Sequence, residues 1–392
     1  MAKLRVAHII TQLELGGAQR NTLYTIAHLD PARFEPCLMS GPGGLLDEEA
    51  KSSGVPFFVI STLVRPIRPV KDIRALIALY RHLRHLQPDI VHTHSSKAGI
   101  LGRFAAYVAG VPVIIHTFHG FGFTPRQNKL LKYLLIRVEK FCSLLSTHLV
   151  FVSRENRQEA GTLGIGPGKA SSLIRSGISL QGPPSSTIRR EAGIPENAWV
   201  VTSVGNFKPQ KNPMDLARTA VGVLEENPEI HFLFVGDGEL RPAVESWVRG
   251  QPHSENIHFL GWRRDIPEIL AASNVFILTS LWEGLPRALV EAFAAKLPAI
   301  CYAVDGVKEI VDDGKNGYLI IPGDVETAKR RILELKNKPL EAQEMGRRGY
   351  ELIRSEFDID LMVRQQEELY DKLFSDVPLK EYYKPHGSLN PS

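Results

Sequence analysis

Along the 392-residue chain, short apolar runs alternate with longer stretches whose apolar positions recur every three to four residues. The short runs, rich in Val, Ile, Leu and Phe, predict strands over 4–10, 36–39, 57–60, 90–93, 113–117, 148–152 and 172–174 in the first half. In the second half they predict strands over 200–204, 231–235, 257–260, 275–279, 299–302 and 318–321. Most of these runs are continuous rather than alternating, the pattern of strands covered on both faces. Helical segments between them imply βαβ crossovers and therefore parallel sheets. Two such sets in succession predict an α/β protein of two Rossmann-like, doubly wound domains.

The first domain is expected over 1–180, completed by a helix near 358–375, and the second over 190–357. Gln181-Gly-Pro-Pro-Ser-Ser lacks apolar periodicity, which sets a linker near 176–190. The polar end, 376–392, carries Pro and Gly and is expected to be a disordered tail.

Composition narrows the function classes. Hydrophobic residues make up 43% and charged residues 23%, which excludes wholesale disorder. A net charge of +4, from 47 basic and 43 acidic residues, is too slight for a dedicated nucleic-acid binder. Cys37, Cys142 and Cys301 are too few and too far apart for a disulfide framework or a zinc site, which fits a reducing compartment. The first apolar run stops at Thr11-Gln12, too short for a signal peptide, and no window approaches the ~20 apolar residues of a membrane span. A cytoplasmic location is the expectation.

The stretch from Thr279 to Pro298 carries the most chemistry. It begins at the carboxyl end of an expected strand, where ligands bind in open α/β sheets. Gly284 permits close approach of a backbone, and Pro286 suits a first helical turn. Amides around Gly284 and Leu285 and at the helix start would then face an anion such as a diphosphate. Glu283 falls just before that helix and Glu291 eight residues on, within it; a carboxylate can accept two hydrogen bonds from a pair of sugar hydroxyls. The plain alternative is that Glu283 caps the helix and Glu291 is solvated.

Glu283, seven residues, Glu291, within Ser-Leu-Trp-Glu-Gly-Leu-Pro, resembles the E-x7-E signature of family four retaining glycosyltransferases that use nucleotide sugars. The resemblance runs from Gly16 to the last helix and implies the GT-B architecture, with the site between two Rossmann-like domains. It implies that Glu283 binds the donor sugar's hydroxyls and Glu291 the nucleotide ribose. Lys211 corresponds to the lysine that neutralises the donor diphosphate. Asn206 stands where the family commonly has arginine, and Lys208 is a candidate for the missing charge. Gly16 and Gly17 resemble the family's Gly-Gly loop beside the donor, permitting a turn and a close approach. His119 matches the histidine that contacts the donor sugar near the reacting carbon, whereas His116, within a strand, is expected to be packed. The backbone around Gly261, Trp262 and Arg263 would pass the base. His92 and His94, lacking a third ligand at metal spacing, are expected to line the acceptor side. For Gly236 and Gly238 turn geometry is the stronger reading.

The implied reaction moves a sugar, with a UDP-sugar favoured, onto a glycan or lipid-linked acceptor in surface polysaccharide assembly, with His119, Lys211 and Glu283 as catalytic residues and no metal or cofactor. Two basic segments bear on the acceptor. Residues 61–88 carry Arg65, Arg68, Lys71, Arg74, Arg81 and Arg84 against Asp72 alone. Residues 125–141 carry Arg126, Lys129, Lys132, Arg137 and Lys140 beside a wide apolar stripe. Such a helix suits peripheral contact with the inner face of an anionic membrane; a stripe facing the core is the alternative. Rival readings are a sugar-nucleotide epimerase or phosphorylase on the same fold, or a silent binding protein. A dinucleotide oxidoreductase is disfavoured because neither Gly16-Gly17 nor Gly205-Asn-Phe-Lys supplies G-x-G-x-x-G. Asp358-Ile-Asp360 follows no strand and reads as a helix start rather than a D-x-D metal motif.

Overall fold

Strands that are apolar on both sides must be covered on both sides, and the computed structural model, which describes residues 3–123, 128–180 and 186–377, has two parallel sheets covered in this way. The chain divides into two compact units, Met1–Gly177 with Ile359–Ser392, and Ile178–Asp358. The segment 181–185 of the expected linker, Arg126, and the expected tail from 378 onward lie outside the described residues. Among the described residues no helix is long and apolar enough to cross a membrane.

In the first unit the order is β1 (Leu4–Gln12), α1 (Gly17–His28), β2 (Phe34–Gly41), α2 (Asp47–Ser52), β3 (Phe57–Val59), α3 (Pro69–Leu86), β4 (Ile90–His94), α4 (Ser96–Ala109), β5 (Val113–Phe118), α5 (Lys129–Leu145), β6 (His148–Phe151), α6 (Arg154–Leu163) and β7 (Ser171–Leu173). The sheet order β3-β2-β1-β4-β5-β6-β7 reverses between β1 and β4. Alternate residues of these strands serve opposite faces. Ala7, Ile9, Val91 and Ile114 pack against α3 and α4, while Val6, Ile90, Val113 and Ile115 join Met362, Val363, Tyr370 and Leu373 of the last helix.

The second unit continues with α7 (Ile188–Glu191), β8 (Trp199–Val204), α8 (Pro213–Glu226), β9 (Ile230–Val235), α9 (Arg241–Arg249), β10 (Ile257–Gly261), α10 (Ile266–Ala271), β11 (Val275–Leu278), α11 (Arg287–Ala294), β12 (Ala299–Tyr302), β13 (Gly317–Ile320), α12 (Val325–Asn337) and α13 (Pro339–Ile353). Its order, β10-β9-β8-β11-β12-β13, reverses between β8 and β11. The chain then enters α14 (Ile359–Ser375), which belongs to the first unit. Asp358 immediately precedes α14, and Asp360 accepts a 2.6 Å hydrogen bond from Tyr24.

The apolar stripe of α5 is divided: Leu135 and Ile136 pack against the core, where the buried residues of the helix are Glu139, Cys142 and Ser143. Leu130, Tyr133, Leu134, Phe141 and Leu144 are each at least half exposed, Leu130 at 67%. The inward position of Glu139 follows from Arg103, which is wholly buried on α4 and bonds Glu139 Oε2 at 2.6 Å. A buried guanidinium needs a carboxylate partner, and Glu139 turns the polar side of α5 inward to supply it.

Candidate functional site

In the second unit the two loops that flank the strand-order reversal carry the expected charges. Lys211 comes from the loop after β8 and Glu283 from the loop after β11, and Lys211 Nζ lies 2.5 Å from Glu283 Oε1. Only 7% of the Glu283 side chain is exposed, against 23% of Lys211. A carboxylate so deeply placed requires a partner, and this lysine is one. Backbone contacts fix the meeting: Leu281 N donates to Gln210 O at 2.8 Å, and Gln210 Nε2 donates to Trp282 O at 3.0 Å. The Thr279 hydroxyl adds bonds to the carbonyls of Lys211 and Asn212. Sequence reasoning did not single out Gln210, which stitches one loop to the other.

Glu283 lies before α11, whose N-cap residue offers no side-chain cap and whose first turn holds no acidic residue, and it pairs with Lys211. Pro286 is also displaced by one position from its expected place: it is the N-cap, with extended ψ of 95°, and the helix starts at Arg287. A Cβ at Gly306 would come within 1.8 Å of Gly284 O, so the close backbone approach expected at Gly284 is made with the loop after β12. Leu285 is half-buried between these points. Glu291 is not simply solvated: its Oε1 bonds Arg287 Nε at 2.8 Å one turn earlier, and less than a fifth of either side chain is exposed. Arg287 was likewise missed, although the i, i+4 spacing of Arg and Glu on one helix carries the signal.

Asn206 and Lys208 are half-buried in the same loop as Lys211. Among the described residues Lys208 forms no ion pair within 4.0 Å. A recess of about 300 Å³ beside them is lined by Asn206, Phe207, Lys211, Phe234 and Leu278, among others. Gly236 holds φ at +126°, and a Cβ there would meet Gly205 O at 2.1 Å, which fits turn geometry as its role. Gly261 closes β10, its carbonyl accepting from Gly236 N at 2.8 Å. Trp262, next in the chain, is 44% exposed. The Arg263 guanidinium bonds Asp265, which raises the arginine's pKa and lowers the carboxyl's. β10 lies two strands from β8, about 10 Å at ordinary strand spacing.

In the first unit Gly16 is the N-cap of α1 with φ −139° and ψ 161°, extended values open to any residue. The turn therefore does not require glycine at Gly16, a correction to that expectation. A Cβ there would meet only the end of the Gln19 side chain. Gly17 opens the helix, which has neither a side-chain cap nor an early acidic residue.

His119 follows β5 and is half-buried, its Nε2 lying 3.3 Å from His94 Nδ1. Burial holds its imidazole below the ordinary range. His116 is packed as expected, with Nδ1 2.9 Å from the Thr93 hydroxyl and its ring against Gly99. His92 does not have the expected lining position, whereas His94 reaches a recess beside His119. Both are buried, and His8 joins them, the ligand atoms of all three lying within 4.8 Å of one another. Their six ring nitrogens are all engaged by neighbouring hydrogen-bond partners. His94, with His119, reaches a recess of about 290 Å³ walled by α1 and α14.

Residues 15–181 match the model of Glycosyltransferase Family 4, and residues 184–352 match that of Glycosyl transferases group 1. A UDP-Gal:alpha-D-GlcNAc-diphosphoundecaprenol alpha-1,3-galactosyltransferase of Escherichia coli is 37% identical over 335 residues, 83% of this chain and 86% of that one. The putative glycosyltransferase EpsD of Bacillus subtilis is 31% identical over 67% of this chain and 71% of its own. Among solved structures, Anabaena Alr3699/HepE in complex with UDP and glucose is similar, with a TM-score of 0.81 at 18% identity, covering 94% of this chain and all of that one. Sucrose-phosphate synthase from Thermosynechococcus elongatus gives 0.81 at 19% identity, over 95% of this chain and all of its own. Similarity along both halves, in sequence and in the arrangement of the two sheets, makes this chain a member of glycosyltransferase family 4 with the GT-B fold.

Proposed function

We propose that this glycosyltransferase takes a sugar from a UDP-sugar, with retention at the anomeric carbon, and transfers it to a lipid-linked glycan acceptor in surface polysaccharide assembly. The observation that carries this reading is the Lys211–Glu283 pair at the reversal of strand order. An ammonium has three hydrogens, so Lys211 can keep Glu283 and still give two bonds to diphosphate oxygens. Glu283 then holds sugar hydroxyls, Glu291 with Arg287 meets the ribose, and backbone near Gly261, Trp262 and Arg263 passes the base. For His119, Gly16 and Gly17 the family resemblance supports a role in contact with the donor sugar.

In the proposed step the acceptor oxygen bonds to the anomeric carbon on the face from which the diphosphate departs. The bond from that carbon to the phosphate oxygen breaks, and a donor phosphate oxygen takes the acceptor's proton. Charge developing on the leaving group is met by Lys211, with Lys208 in support. No protein nucleophile and no metal is needed. The relative whose name states a UDP-Gal donor, a diphosphoundecaprenol-linked GlcNAc and an alpha-1,3 linkage supports the donor and acceptor classes. The exposed apolar face of α5, flanked by Lys132 and Arg137, supports peripheral contact with the inner face of an anionic membrane, where such an acceptor resides.

The test is to incubate the protein with UDP-sugars and a lipid-diphosphate sugar, following UDP release. Release that requires both substrates and persists with excess chelator is expected. Conversion of the donor without acceptor would instead indicate an epimerase, and binding without any turnover a silent binding protein.

A further inference from the structure

Behind His119 lies a line of buried side chains that the proposed chemistry leaves without a role. Strand register places His8 opposite His92 and His94 opposite Thr117, on the face that α14 covers. His8 Nδ1 is 3.1 Å from His94 Nε2, and their rings stack at 5.3 Å. His94 Nδ1 is 3.3 Å from His119 Nε2. At the other end, the Tyr370 hydroxyl lies 2.6 Å from His92 Nδ1 and 3.4 Å from His8 Nε2. His92 Nε2 lies 2.7 Å from the Thr117 hydroxyl. Burial keeps all three interior imidazoles neutral.

A neutral imidazole has one N–H and one lone pair, so the direction of any one bond in such a chain fixes the rest. Tyr370 has a single hydroxyl hydrogen. His92 Nδ1, at 2.6 Å, is a closer acceptor for it than Gln366 Oε1 at 3.3 Å. Donating there, Tyr370 accepts from His8 Nε2–H. His8 Nδ1 then accepts from His94 Nε2–H, and His94 Nδ1 accepts from His119 Nε2–H. His92 Nε2–H completes the set by donating to Thr117. Every ring nitrogen of His8, His92 and His94 is then satisfied with no net charge.

We propose that Tyr370, His8 and His94 are a positioning relay that holds His119 as its Nε2–H tautomer and leaves its Nδ1 lone pair to accept a hydroxyl of the bound sugar. The sugar contact rests on the role proposed for His119 above; the relay itself does not. It also makes α14, which follows the second unit in the chain, part of the support of a residue after β5.

The experiment uses the 15N-labelled full chain, with long-range 15N–1H correlations of the imidazoles at neutral pH and His119 assigned from His119→Gln. The wild type is expected to show His119 as the Nε2–H tautomer alone. Tyr370→Phe keeps the ring and its packing, and is expected to give a tautomer mixture at His119. Its kcat should fall about tenfold, equivalent to about 1.4 kcal/mol, with the donor KM changed less than about twofold. An Nδ1–H tautomer in the wild type, an unaltered His119 pattern in Tyr370→Phe, or a stoichiometric transition metal in the purified protein would each overturn the relay. If His119→Gln transfers sugar at the wild-type rate while the tautomer results hold, the relay stands and the sugar contact falls.

Discussion

Lys211 and Glu283 are 72 residues apart in sequence and 2.5 Å apart in space, each on a loop beside the point where strand order reverses. Opening this pair by Lys211→Ala leaves a nearly buried carboxylate without that partner, and a loss of about 1–3 kcal/mol in stability is expected. Transfer should slow by at least tenfold. The double change Lys211→Met with Glu283→Gln should recover most of the melting temperature and none of the activity. Denaturant unfolding and UDP-release rates separate the two effects; full activity in a folded Lys211→Ala protein would end the assignment.

Glu291 and Arg287 are held together on one face of α11. Glu291→Ala is expected to weaken binding of UDP and of UDP-sugar alike, by about tenfold, because a ribose contact does not depend on the sugar. Titration calorimetry with both ligands checks this. A loss confined to the UDP-sugar would move Glu291 to the sugar end of the site.

α5 presents Leu130, Leu134 and Phe141 outward. Replacing these three with serine should sharply reduce sedimentation with anionic vesicles while leaving the melting temperature within a few degrees, since few core contacts are lost. Transfer to a short water-soluble acceptor should persist. Undiminished sedimentation would exclude this helix as the membrane face.

Burial pushes His8 down to about 3, and lowers His92, His94 and His116 as well. In the unfolded chain these groups take up protons near pH 6.5. Between that value and the folded one the unfolded state binds more protons, so stability is full above about pH 6.5 and falls as pH drops below it. Each histidine contributes up to about 1.4 kcal/mol per pH unit across that window. Melting curves taken from neutral pH downward should shift steadily to lower temperature. A rise in melting temperature over the same range would mean that the folded state protonates first.

Much of the architecture was legible because strands covered on both faces leave mostly continuous apolar runs, and each of the thirteen runs is a strand among the described residues. Boundaries slipped where polar residues extend a strand, as at Thr11 and Gln12 of β1, because pairing with β2 continues past the apolar run. Motif and position at strand ends singled out Lys211 and Glu283, which the structure brings together, and Glu291 on α11. Gln210 was not, since its work is to bridge two loops and nothing in its neighbours announces the bridge. The same holds for His8 and Tyr370, 362 residues apart, whose meeting exists only once β1 and α14 are packed. The stripe of α5 carried the helical period but not the inward position of Glu139, which Arg103 on another helix decides.

Because Ile359, Met362, Val363, Tyr370 and Leu373 of α14 complete a core begun by Val6 and Phe34, the first half of the polypeptide leaves the ribosome before its closing piece has been made. The intervening half can fold meanwhile, and only then does the chain's end seal the beginning. A ribosome that stalls before the codons of α14 are read would leave the first unit without its closing helix, its apolar face open to chaperones and proteases.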